Sequence, residues 1–471
     1  LTLGWRMARF TGEGRRPLAR FVLGSQACRP AGNLTMGDAM PMTHRLLTTL
    51  ALVLCASPAF AADTLNGADT AFVFLTSVLV LLMSLPGLAL FYGGLAQSKN
   101  VLSVLMQVFS VAALVSLLFV LYGYSFAFAD GGAWQPYLGG PDKLLLKNIS
   151  VESLVGSVPE YAYIFFMMTF AAITPALIAG SFAERIKFPA VLLFMAIWAT
   201  INYIPLAHMA WGGGWMAALS VQDFAGGNVV HVNAGVASLV AAVMIGRRRL
   251  FGSVALTPHN MTMTMTGGAL LLIGWLGFCG GCALAVGGFS MLVVLNTLMG
   301  AFGGALAWMG LEWRLLKKPS LLGVVSGAVA GLVGITPACG YVGPVGAICV
   351  GLLTAPCCLL AVTLVKQRLK LDDAFDVFAL HGVGGMVGGL LTPLFALPAL
   401  GGLGFVAGRG LWQQLAVNGG ALLFSIAFSA VTSWLALALV ARLYRGLRVD
   451  DEAEYDGLDL TSHGEVGYRQ G

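Results

Sequence analysis

The chain has 471 residues, of which 58% are hydrophobic and only 10% charged. A soluble domain carries roughly 25% charged residues, and the mean hydropathy of +0.85 excludes that class in favour of an all-α polytopic membrane protein. The formal net charge of +5 does not point to nucleic acid, because the basic residues sort by loop in the manner of membrane topology.

Residues 1–61 read as a leader. Residues 1–41 are Arg-rich, lack an apolar run and begin with Leu, the pattern of sequence upstream of a misplaced start. Residues 42–61 carry a signal-peptide pattern. Arg45 supplies the positive end, LLTTLALVLCA the apolar core, and Ala59-Phe60-Ala61 a small-x-small cleavage site. The apolar run is too short for a membrane span, so cleavage after Ala61 is expected. Bulky Leu54 before Cys55 argues against lipoprotein processing.

A span needs about 20 apolar residues. Eleven such stretches follow, at about 71–95, 101–128, 161–184, 188–208, 225–246, 261–286, 290–314, 319–337, 341–365, 375–397 and 411–442. The 62 glycines suggest closely packed helices. One set of alternate connections holds Lys99, Arg185, Lys187, Arg247, Arg248, Arg249, Arg314, Lys317, Lys318, Lys366, Arg368 and Lys370. The tail adds Arg442, Arg445, Arg448 and Arg469 on the same side. The other set holds only Lys143, Lys147 and Arg409. The basic side is expected to face the cytoplasm, with the mature N-terminus outside and the tail inside.

The cysteines make no disulfide framework. Cys28 and Cys55 lie in the leader, Cys339 in a short outer loop, and the other five in expected spans. Cys279-Gly-Gly-Cys282 has a redox spacing, but reactivity needs an accessible, electropositive setting, so a packing role is expected.

Ionisable residues in greasy segments carry the functional signal. Asp223 precedes His231 in DFAGGNVVHVNAG, and Asp373 precedes His381 at the same separation. The two copies open the fifth and tenth expected spans. Five spans apart, they enter the membrane from opposite sides, the arithmetic of an inverted repeat of spans 1–5 and 6–10 with an eleventh left over. Eight helical residues rise about 12 Å, so in a core about 30 Å thick the histidines differ in depth by only about 6 Å. A single such histidine is as often a neutral group bonded to a backbone carbonyl. Two at symmetric depth favour a pore role, as a path for a small polar molecule or a proton relay whose titration belongs to the pair. No third His, Cys or carboxylate stands clearly at that level, so a metal site is not expected. Asp223 reads first as an N-cap, and second as a charge that biases an outer vestibule toward cations.

The stretches FYGGLAQSKNVLS (91–103), AERIKF (183–188), IPLAHMAWGGG (204–214), DFAGGNVVHVNAG (223–235), GWLGF (274–278), KPSLLG (318–323), TPACGY (336–341), HGVGG (381–385) and GLRVDDEAEYDGLDLTSHGE (446–465) resemble the ammonium transporter (Amt/Mep/Rh) family, and its bacterial Amt branch. The resemblance runs from about residue 68 to the end. It implies a homotrimer of eleven-span protomers in the lipid of a bacterial inner membrane, each with its own pore for ammonium or ammonia in nitrogen uptake. It implies no cofactor, no nucleic acid and no enzymatic turnover.

By position, Trp211 resembles the aromatic of an outer recruitment site, although its place at an outer loop suits an interfacial belt equally. Phe170 and Phe278 resemble stacked rings that close the pore, Phe166 a further wall, and Asp223 the aspartate below the site. His231 and His381 match twin pore histidines, with Trp275 and Thr336 near the path. Close relatives have a serine where this chain has Cys282, and an asparagine where it has Cys279. A thiol is a weaker acceptor than a hydroxyl, so weaker outer binding is expected. Residues 62–446 would form the channel and 447–471 a cytoplasmic tail, solvated by its composition. By resemblance the tail packs on the cytoplasmic loops and helps a PII-type signalling protein block the pore. Two other functions fit the same motifs: a non-conducting ammonium sensor and a neutral gas channel of the Rh type. Trp211 and the long tail speak against the second.

Overall fold

Asn66 starts the first helix by accepting hydrogen bonds from the N–H groups of Ala68 and Asp69 at 2.9 and 3.2 Å. The structure, a computed structural model, describes residues 64–468. The leader and signal peptide therefore lie outside the described residues.

Ten helices among the described residues are long and apolar enough to cross a membrane. In chain order with one shorter helix they are α1 (Gly67–Leu95), α2 (Val101–Phe128), α3 (Glu160–Phe182), α4 (Phe188–Ala218), α5 (Gly227–Ile245), α6 (Met261–Gly281), α7 (Gly288–Leu316), α8 (Leu321–Ile335), α9 (Pro344–Arg368), α10 (Phe378–Phe395) and α11 (Leu411–Leu443). Two short tail helices follow, α12 (Asp451–Asp456) and α13 (Leu458–His463). A two-stranded hairpin, β1 (Leu154–Val155) and β2 (Val158–Pro159), lies in the loop before α3. The two ends of the bundle are called outer and inner after the charges of their loops.

The helix boundaries follow the apolar runs to within a few residues, except that α4 runs on to Ala218 where its span was expected to end near 208. A span was expected over 319–337, but α8 has 15 residues and rises only about 22 Å. Residues 336–342 continue as turns, almost all of them buried. Such backbone is tolerated at membrane depth only where protein satisfies it. Asn296 of α7 does so, its Nδ2 donating to Cys339 O at 2.9 Å and Val342 O at 2.7 Å.

Several helices widen locally. Pro86 in α1 has no N–H to donate, and Met83–Leu88 form a π turn around it. Both histidine segments, Gly227–Val232 and Phe378–Val383, are also π turns, which occur frequently at functional sites. Polar groups link α4, α5 and α11 inside the bundle. Trp198 Nε1 donates to Ser433 Oγ at 2.9 Å, and Ser429 Oγ to Asn233 O at 2.7 Å.

At the inner end, loops distant in sequence close on one another. The Arg248 guanidinium bonds both oxygens of Asp372, at 2.9 and 2.8 Å, and Glu184 Oε2 at 2.7 Å. All three side chains are buried. Burial would raise both carboxyls, but Arg248 outweighs it and holds them below the usual carboxylate range, with Gln97 adding to the effect at Glu184. Arg185 donates to the carbonyls of Asp372 and Gly246 at 2.6 and 2.8 Å.

The tail is not simply solvated. Asp459 caps α2, accepting from the N–H groups of Leu102 and Ser103 at 3.0 and 2.7 Å. Glu454 accepts from Arg249 N–H at 2.8 Å and pairs with Arg448 at 2.5 Å. These two acids are buried because they satisfy helix and loop donors that composition does not reveal.

Candidate functional site

The site is a column of aromatic and imidazole rings running down the bundle from the outer end. At its top is a bowl of about 300 Å³ lined by Tyr163, Phe166, Phe170, Trp211, Phe224 and Cys282, among others. Trp211 closes α4's regular part and is half-buried. Its indole Nε1 donates to Asp223 O at 3.4 Å, and its ring meets Phe170 edge-on at 5.8 Å between centroids. The Cys282 thiol, just past the end of α6, donates back to Phe278 O at 3.3 Å. Cys279 is turned away and fully buried.

Phe170 from α3 and Phe278 from α6 form the floor of the bowl. Their rings stack at 4.1 Å with an interplanar angle of 16°, and neither is exposed. Phe166, one turn earlier on α3, braces Phe170 at 5.0 Å.

Below the floor is a chamber of about 10 Å³, room for roughly one water-sized molecule, whose walls include His231, His381, Trp275, Phe278 and Tyr92. His231 Nδ1 and His381 Nδ1 are 3.2 Å apart, and their rings lie at 5.3 Å and 23°. Trp275 stacks on His231 at 5.1 Å and is held by a 2.8 Å hydrogen bond from its Nε1 to Thr336 Oγ1. Thr336 therefore stands behind the wall. His231 Nε2 is buried without a protein partner.

Glycine brings the two histidines together. A Cβ at Gly235 would lie 2.2 Å from Gly382 N, so the backbones of α5 and α10 cross in direct contact one turn after His231 and immediately after His381. The entry to α5 is equally constrained. Gly226 has φ of +105°, a conformation that glycine adopts without strain. Asp223 Oδ1 accepts from Gly226 and Gly227 N–H at 3.2 and 2.5 Å, and Oδ2 from Asn228 N–H at 2.9 Å. Burial raises its carboxyl despite these N–H groups. The carboxylate thus faces its own helix, and it is the carbonyl of Asp223 that reaches Trp211.

All ten residues singled out in the sequence fall along this column or directly behind it. Tyr92 was not singled out. It sits in the FYGG stretch, and only the folded chamber reveals its place. Among the described residues no group of three or more His, Cys, Asp or Glu could hold a metal ion.

The chain is similar to known proteins over nearly the whole of the described bundle. Residues 71–468 match the model of the Ammonium Transporter Family. An ammonium transporter of Bacillus subtilis is 43% identical over 408 residues, covering 85% of this chain and 98% of the relative. One of Aquifex aeolicus is 41% identical over 420 residues, covering 88% and 97%. The crystal structure of Mep2 from Candida albicans superposes with a TM-score of 0.76 at 34% identity, covering 83% of this chain and 88% of that one. The structure of a sensor Amt protein superposes with a TM-score of 0.78 at 28% identity, covering 84% and 98%. With a family model spanning nearly all of the helical bundle and relatives matched over almost their whole length, the chain belongs to the ammonium transporter family.

Proposed function

We propose that the chain carries ammonium nitrogen inward across a membrane by binding the ion in the outer bowl, removing its proton and passing ammonia along the histidine pair. The observation that carries this reading is the order of parts on one line: bowl, stacked rings, imidazole pair. An ammonium ion over the Trp211 face gains about 0.5–2 kcal/mol by cation–π attraction. A bare cation beyond the ring stack would lose its hydration to apolar walls, which is heavily penalised. Neutral ammonia is the species suited to the chamber, where His231 Nε2 offers an unused hydrogen-bonding site. The proton, left behind, travels by the imidazoles. Potassium has no proton to shed and is excluded.

In the same reading α8 is an eleventh span, shortened by its buried turn, and α1–α5 and α6–α10 are inverted repeats. The protein is a homotrimer of a bacterial inner membrane, with the mature N-terminus periplasmic after loss of the signal peptide and the tail cytoplasmic. A PII-type protein docks at the tail face. Relatives named as ammonium transporters at over 40% identity support the substrate.

The test is the current from purified protein in liposomes after an ammonium jump, beside a potassium jump and a His231→Ala/His381→Ala variant. An ammonium-only current lost in the variant is expected. No current together with no internal pH change would overturn transport, and a pH change without current would make the substrate a neutral gas throughout.

A further inference from the structure

A buried carboxyl that this reading leaves unused lies just before α10. Asp373 stands eight residues before His381, as Asp223 stands eight before His231. Each carboxylate accepts the N–H group five residues on through its Oδ2, Asp223 from Asn228 at 2.9 Å and Asp373 from Phe378 at 2.7 Å. The other oxygens differ. Asp223 Oδ1 is taken by Gly226 and Gly227. Asp373 Oδ1 has no hydrogen-bond partner, although the residue is wholly buried. An acid needed only as a helix cap would be built like Asp223, since an unpaired buried oxygen is costly.

The surroundings place the Asp373 loop beside a wall of the chamber. The N–H groups of Ala374 and Phe375 bond the carbonyls of Ser181 and Gly180, each at 3.1 Å, clamping the Asp373 loop to the inner end of α3. Ser181 Oγ is a second buried polar atom without a partner. The Phe375 ring packs on Tyr92 at 5.3 Å, and Tyr92 is a wall of the histidine chamber. Facing charges come from four elements. Asp376 shares the loop, Lys366 at the end of α9 pairs with Asp376 at 2.8 Å, Tyr92 belongs to α1, and Arg185 after α3 bonds Asp372 O. Burial, then Asp376, push the Asp373 carboxyl up to about 7 against Lys366 and the N–H groups of Phe378 and Val377.

We propose that Asp373 is the inner proton station of this protein, its Oδ1 taking the proton that leaves the histidine pair and releasing it to water at the inner face. The inference rests on the relay reading above. In the first step an imidazolium N–H bond breaks and a carboxyl O–H bond forms, so both groups end neutral. In the second the carboxylic acid gives its proton to water outside the inner mouth and returns to carboxylate. In this proposal water molecules carry the proton between the imidazole and the carboxyl. A group that is half ionised near neutral pH suits both accepting and releasing a proton.

The experiment compares wild type, Asp373→Asn and Asp373→Glu in liposomes. Ammonium-driven current is read while the pH at the protein's inner face is varied from about 8 to about 6, across the carboxyl's range. The asparagine keeps an acceptor for Phe378 N–H but binds no proton, whereas the glutamate keeps the carboxyl. Wild-type current is expected to fall as the inner pH drops through about 7, because the acid then stays protonated. The asparagine variant is expected to carry a current at least about tenfold smaller and insensitive to inner pH, and the glutamate variant to recover the pH dependence. A purely structural role would scale the current without changing its pH profile, and would not be rescued by the longer acid. A wild-type current lost in His381→Ala but unchanged in Asp373→Asn would overturn the station alone. A wild type without ammonium-driven current would overturn relay and station together. Should the asparagine variant fail to fold, a wild-type profile flat through pH of about 7 would still overturn the proposal.

Discussion

The Nδ1 atoms of His231 and His381 face each other at 3.2 Å. A hydrogen bond between two ring nitrogens needs one N–H and one lone pair, so the neutral pair holds a single proton between them. The outward nitrogens are then unlike: one ring presents an acceptor and the other a donor. Ammonia can satisfy both. Removing either ring breaks this complementarity and any proton path through it. His381→Ala is expected to lower ammonium-driven current about a hundredfold, the low end of what a positioned acid or base contributes. Current in liposomes, paired with a thermal melt to show retained fold, checks it.

The stacked floor makes a separate prediction. Phe278→Ala would remove one half of the 4.1 Å ring pair and open the bowl to the chamber. The substitution is expected to cost about 3–5 kcal/mol of stability and to admit hydrated cations. A potassium jump should then yield a current that the wild type lacks. If potassium still gives none in the folded variant, the rings are not the barrier.

The proposed outer site makes a prediction at Cys282. Its thiol lines the cavity and is turned toward Phe278 O, and sulfur is a poor acceptor. Cys282→Ser supplies a hydroxyl, and one further hydrogen bond is worth about 1 kcal/mol. Ammonium is expected to bind the variant about fivefold more tightly, read by ligand-dependent shifts in melting temperature. Equal affinity would remove the thiol from the account of the outer site.

The inner ion cluster predicts a pH dependence of stability. Asp372 and Glu184 are held below their usual range by Arg248. Depressed carboxyls add stability that is fully present above the unfolded value of about 4 and is lost as pH falls through the folded one. Arg248→Met leaves two buried acids unpaired and should cost about 3–5 kcal/mol near neutral pH. With Arg248 gone, burial instead raises the acids, so that variant gains relative stability on acidification. Melting curves should therefore converge as pH is lowered from about 7 to about 4. A constant gap would show that charge pairing is not what Arg248 provides.

The apolar runs made most of the helical architecture legible, because a segment that must satisfy its backbone inside lipid has little choice but helix. The shortness of α8 was less legible, its run giving way to buried turns after Ile335. Pro337, which has no N–H to donate, ends the helix and is a local signal, whereas Asn296 on another helix, which satisfies the carbonyls beyond it, could not be read from 319–337. The meeting of His231 and His381 was legible from spacing and span parity. What spacing could not supply was the contact of Gly235 with Gly382, which sets the distance between the rings. The Arg248–Asp372–Glu184 cluster was invisible for a related reason. Each residue looked like an ordinary loop charge, and their association depends on loops brought together only when the bundle closes. By composition the tail acids Glu454 and Asp459 read as solvated, and only the family resemblance implied packing on the inner loops, since the donors they satisfy lie hundreds of residues earlier.

The resting ring stack has a consequence for cellular bioenergetics. Each elementary charge that leaks down a potential of 100 mV dissipates about 2.3 kcal/mol, and a permanently open conduit would act as an uncoupler. With Phe170 and Phe278 in face-to-face contact and neither exposed, an idle copy is sealed by default. On the proposed transport reading, an energised membrane can hold many idle copies and still retain the gradient that drives ATP synthesis.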